Sequence, residues 1–84
     1  MLVILKCTTD RRLMEQYGPI QVGEDQWEQK ILVLKKVSGD YEFFDPNNGL
    51  ECFRLSEVEV NSEKEGKYIA FSGHKNQKWV FEIL

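Results

Sequence analysis

The stretch that decides the fold is "KVSGDYEFFDPNNGLECFRL", residues 36–55, in which two turn signals separate short runs rich in aromatic side chains. Turn length sets strand register, and register sets which side chains share a face. Ser38-Gly39 suits a two-residue hairpin loop, because glycine accepts the left-handed backbone such turns require; Val37 then faces Asp40 and Lys36 faces Tyr41. Asn47-Asn48-Gly49 suits a three-residue loop ending in a left-handed glycine, which sets Pro46 opposite Leu50. The rows across three strands become Leu34, Phe43 and Phe53; Lys36, Tyr41 and Leu55; Val33, Phe44 and Cys52; and Lys35, Glu42 and Arg54. One face is apolar, and the other sets an alternating ionic row beside an apolar row, an arrangement worth a few tenths of a kcal/mol per pair. A four-residue loop, 46–49, is the competing register. It sets Phe53 opposite Glu42 and Arg54 opposite Tyr41 and scrambles the faces, so segregation favours the first.

Outward from this stretch, "TTDRRLMEQYGP" predicts one short helix, capped by Thr9 or Asp10 and closed by Gly18 in a left-handed cap followed by Pro19. Leu13 and Tyr17 lie four apart with Met14 beside them. About eight residues do not hold a helix in water unaided, so that side must dock on the sheet. "LVILK" from Leu2 and the terminal "KWVFEIL" predict strands, the latter tied into the sheet. "WEQKILVLKKV" carries branched apolar residues on both parities from Ile31 to Leu34, the pattern of a central strand covered on both faces. With turn signals recurring about every ten residues, strands are expected over 2–7, 27–37, 40–45, 50–55, 57–60, 67–72 and 78–84. The fold class is α+β and mainly β: a small antiparallel meander sheet or partly closed barrel of about six strands, with one short N-terminal helix after strand 1. The 84 residues make a single domain.

With 42% hydrophobic and 30% charged residues, the chain has a globular balance. Fourteen acids against eleven bases give a net charge of −3, unlike a chain that coats duplex DNA. "MLVILKCTTD" lacks the basic flank of a signal peptide, and no run reaches the roughly 20 apolar residues of a membrane span. Cys7 and Cys52 do not make a disulfide framework; a reduced, cytoplasmic protein is expected, with both thiols packed as small apolar groups.

The sequence predicts no enzyme, cofactor or metal site. His74, in the turn-like "SGHKNQ", reads as an exposed loop histidine rather than a general base, and no metal-ligand spacing or glycine-rich phosphate loop occurs. "DPNNG" lacks the alternating oxygens of a calcium loop and reads as a turn. The leading expectation is a small non-enzymatic protein-binding module, of the class that includes inhibitors, immunity or anti-defence factors and accessory proteins of phages and mobile elements. Phe44 flanked by Glu42 and Arg54, together with Trp27, are the candidate partner-binding residues, since aromatics and Arg dominate interface energetics. Val33, Phe44 and Cys52 need cover, from the helix, from the last strand, from a partner protein or from a second copy in a homodimer. The alternative is a nucleic-acid-binding small β-barrel using Tyr68, His74, Lys75, Lys78 and Trp79 around the final hairpin, although Trp79 shares parity with Phe81 and Ile83, as a core residue would. In the acidic run with Glu57, Glu59, Glu63 and Glu65, Glu57 and Glu59 alternate with Val58 and Val60, which reads as an amphipathic strand with a wet polar face or as a patch steering toward a basic partner.

Overall fold

The computed structural model describes residues 1–56, 58–62 and 67–84. Among them, β1 (Leu2–Thr8) leads into α1 (Arg11–Tyr17), then β2 (Ile20–Gly23), β3 (Gln26–Glu28), β4 (Ile31–Val37), β5 (Asp40–Phe44), β6 (Glu51–Leu55), β7 (Glu59–Ser62), β8 (Tyr68–Ser72) and β9 (Lys78–Ile83). The main sheet has seven strands in the order β6-β5-β4-β1-β9-β8-β7, all neighbours antiparallel, and β2 with β3 forms a separate two-stranded ribbon. Among the described residues the chain is therefore mainly β with one short α-helix, as expected, but with a seven-stranded sheet plus a ribbon in place of a meander or partly closed barrel of about six strands. The C-terminal strand is central, held by β1 on one side and β8 on the other.

The Ser38-Gly39 hairpin forms in the expected register, with Val37 opposite Asp40, Lys36 opposite Tyr41 and Leu34 opposite Phe43. Both loop residues have positive φ, 50° and 88°, the geometry of a type I′ turn. The second hairpin uses both registers in succession. Next to the turn, the Asp45 N–H donates to the Leu50 carbonyl at 2.9 Å and Phe44 pairs with Glu51, the pairing of the four-residue loop. An irregularity between Phe43 and Phe44 then shifts the register, so that Phe43 meets Phe53, Glu42 meets Arg54 and Tyr41 meets Leu55. The extra residue is Cys52, and the expected row of Val33, Phe44 and Cys52 is corrected to Val33, Phe44 and Glu51. A bulge adds one residue to one strand and restores the alternation beyond it. Cys52 thereby joins Phe53 on the core side, half-buried against it.

The core consists of Val3, Leu5, Leu32, Leu34, Phe43, Leu55, Phe71, Trp79 and Phe81. Its rings show how far the sheet curls. Phe43 on β5 and Phe81 on β9 are three strand spacings apart, about 14 Å in a flat sheet, yet their centroids lie 4.6 Å apart and stacked. Tyr41 on β5 and Phe71 on β8, four spacings apart, meet edge-on at 4.9 Å. The sheet wraps its apolar face around these rings, and α1 closes over part of that same concave side. Leu13 and Tyr17 pack on the core, and the Tyr17 ring lies 5.2 Å from Phe53.

Helix α1 begins as its sequence requires: Asp10 Oδ1 accepts the N–H groups of Arg12 and Leu13 at 3.0 and 3.2 Å. It ends differently. Gly18 is extended (φ −73°, ψ 174°), not left-handed. Glycine is needed there for space, because a Cβ would sit 2.5 Å from the Met14 carbonyl oxygen. The single strand expected over 27–37 is broken at Gln29 and Lys30 into β3 and β4, and β2 was not expected. The expected strand over 57–60 is found as β7 at Glu59–Ser62, while Glu57, Glu63 and Glu65 lie outside the described residues. Among the described residues, no helix is long and apolar enough to cross a membrane.

Candidate protein-binding face

Strand alternation that sends Val3, Leu5, Leu32 and Leu34 into the core sends Leu2, Ile4, Ile31 and Val33 to the convex face of the sheet. There, β1 and β4 set Leu2 against Val33 and Ile4 against Ile31, and β5 adds Phe44 beside Val33. The Leu84 N–H donates to the Leu2 carbonyl at 3.0 Å, which extends this row past the end of β9. Leu2, Ile31 and Leu84 are 47%, 45% and 55% exposed, and Val33 and Phe44 are half-buried. The helix is on the opposite side. The expectation that Ile31–Val37 is covered on both faces is thus corrected: among the described residues, only its Leu32 and Leu34 side is sealed.

An ionic border flanks this apolar band. The Arg54 guanidinium reaches three carboxylates: Glu51 through two bonds of 2.7 and 3.0 Å, Glu42 at 3.1 Å and Asp40 at 3.4 Å. The hydrogen bond from Arg54, assisted by its charge, holds the Glu51 carboxyl below the usual carboxylate range, and Glu51 in turn raises Arg54. Lys35 faces Glu42 in the ladder but sends its ammonium over the Phe44 ring, 5.3 Å from the centroid. The expected three-residue ionic row is therefore a cation over a ring joined to an arginine among acids, with the acids in excess.

Of the predicted partner-binding residues, Phe44, Glu42 and Arg54 lie together on this face. Trp27 stands on the ribbon, 58% exposed, beside a pocket of about 340 Å³ shared with Lys6, Pro19 and Gln29. The predicted nucleic-acid residues separate. His74 and Lys75 are exposed in a tight 3-10 turn (His74–Asn76) and Lys78 is exposed at the start of β9, but Tyr68 is half-buried and Trp79 lies in the core at 5% exposure, where no base can stack on it. Cys7 and Cys52 are free thiols, and Cys7 is exposed rather than packed. Among the described residues, no group of three or more His, Cys, Asp or Glu is arranged to hold a metal ion. Sequence reasoning missed Leu2, Ile4 and Ile31 as members of the band. The alternation in "MLVILK" carried that signal, but the apolar residues on both parities concealed it. No known family, curated protein or solved structure matches the chain.

Proposed function

We propose that this domain is a small non-enzymatic protein-binding module, of the inhibitor, immunity or anti-defence kind, which occludes a partner protein with the convex face of its sheet. The carrying observation is the apolar row of Leu84, Leu2, Val33 and Phe44 on a face that no element covers among the described residues. Contiguous apolar patches with a polar rim mark interaction sites. Phe44 and Arg54, which share this face, are of the aromatic and arginine types enriched at interfaces. Because three carboxylates surround Arg54, the rim has surplus negative charge and would draw in a basic partner, raising the on-rate more than the affinity. Free thiols, one of them exposed, suit a reducing compartment such as the cytoplasm.

Co-purification with tagged protein from a lysate of its own source tests this reading. Wild type should recover one protein in stoichiometric amount, and Phe44→Asp, folded by circular dichroism, should lose it. Recovery of nothing, or equal recovery by Phe44→Asp, would overturn the proposal. Sedimentation separates a homodimer through the same face from a partner of different sequence. Oligonucleotide binding that weakens with salt and with Lys75→Ala or Lys78→Ala would favour the nucleic-acid alternative instead.

A further inference from the structure

A cleft of about 510 Å³ opens between the end of α1, the entry into β4 and the turn after β5. It exists because β4 outruns its neighbour. The ladder with β5 stops at Val33 and Phe44, whereas Leu32 and Ile31 are paired with β1 alone, and the chain turns away at Asp45. The walls are apolar: Leu2 and Ile31 on the convex side of the sheet meet Leu32, Pro46 and the Tyr17 ring past the open edge of β4, where the ladder with β5 has ended. Two carboxylates, Glu28 and Asp45, line it against one ammonium, Lys30.

Two details point to a cation. Lys30 Nζ sits 5.5 Å from the centroid of the Tyr17 ring, so the ring is already placed to take positive charge on its face. Asp45 uses Oδ1 to accept the Asn47 N–H at 2.8 Å, which leaves Oδ2 without a partner among the described residues. Burial, followed by the Cys52 thiol and then Asp45 beside it, raises the Tyr17 phenol above its ordinary value.

We propose that this cleft takes an arginine side chain of the partner protein: its aliphatic stem on Leu2 and Ile31, its guanidinium against the Tyr17 ring and Asp45, with Lys30 swung outward. This inference rests on the protein-binding reading. A planar guanidinium suits the site because it stacks on an aromatic face and bonds a carboxylate at once. Lys30 is then a competitor and Asp45 an anchor, so substitutions at the two positions have opposite effects.

The test titrates isotope-labelled protein with n-butylguanidinium, with n-butanol as the uncharged control, at constant ionic strength. Amide shifts should concentrate at Tyr17, Ile31, Leu32, Asn47 and Cys52. Asp45→Asn should weaken binding roughly ten-fold, and Lys30→Ala should tighten it about three-fold. Asparagine preserves the Oδ1 acceptor for the Asn47 N–H, so the turn survives the change. Shifts centred on the Arg54 cluster, equal binding by Asp45→Asn, or equal binding of n-butanol would each overturn the inference. A partner recovered equally by wild type and Asp45→Asn would overturn it while leaving the protein-binding reading intact. Butylguanidinium bound in the cleft with no partner recovered would remove that reading and overturn the arginine in favour of a free cationic small molecule.

Discussion

Phe43 and Phe44 are adjacent in sequence and opposite in fate, and exchanging each for leucine turns the face assignment into a measurement. Phe43 is fully buried, with ring centroids 4.5 Å from Phe53 and 4.6 Å from Phe81, both stacked. Each such pair adds about 0.5–1.5 kcal/mol beyond burial, so Phe43→Leu should cost about 1–3 kcal/mol. Phe44 is half-buried under Lys35, and losing that cation contact costs about 0.5–1 kcal/mol. At roughly 0.05–0.15 kcal/mol per residue, 84 residues carry about 4–13 kcal/mol of stability. Leucine is therefore the informative substitution, since Phe43→Ala at about 3–5 kcal/mol would exhaust a margin at the low end of that range. Urea unfolding followed by the buried Trp79, in a Trp27→Phe background that silences the exposed indole, reads both variants. With a slope of about 1 kcal/mol per molar, the midpoint should fall by about 1–3 M for Phe43→Leu and by less than about 1 M for Phe44→Leu. If Phe44→Leu costs as much as Phe43→Leu, the assignment of a sealed and an open face is wrong.

Other substitutions probe the turns and the rim. Gly39→Ala should destabilise by about 1–2 kcal/mol in urea, because φ of 88° suits glycine, while Ser38→Asn should be neutral or slightly stabilising at φ 50°. Asp10→Ala should cost about 1 kcal/mol and reduce helical circular dichroism, since Asp10 serves two amides of the first turn. Glu51, with its native pKa lowered by Arg54, lends stability that is complete above the ordinary Glu value, about 4.3, and is lost as pH falls through the lowered native value. Carboxyl NMR titration should find Glu51 below the ordinary value and Arg54→Gln should return it there; an unshifted Glu51 in wild type would contradict the pairing.

Most of the fold can be read from local chemistry because its hairpins are short. Ser38-Gly39 permits one tight turn, and that turn alone aligns five residue pairs. Asp10, Leu13 and Tyr17 similarly define a helix by cap and spacing. The bulge at Cys52 is different. Each loop length taken alone is satisfactory, and only packing of Phe53 against Phe43 and Tyr17 forces a change of register partway along the strand. The ribbon of β2 and β3 was hidden for the opposite reason: apart from a half-buried Gly23 its residues are all exposed, so no buried stripe announces it. As for the candidate site, Phe44, Glu42 and Arg54 follow from register. Leu2, Ile4 and Ile31 do not, because apolar residues on both parities look the same whether the second face is covered or bare.

Methyl NMR with a soluble paramagnetic probe tests that bare face directly. The methyls of Leu2, Ile31 and Leu84 should relax strongly, whereas those of Val3, Leu5, Leu32 and Leu34, which alternate with Leu2 and Ile31 along β1 and β4, should be protected. Equal protection of both sets in the isolated protein would mean that the convex face is already covered and would contradict the account.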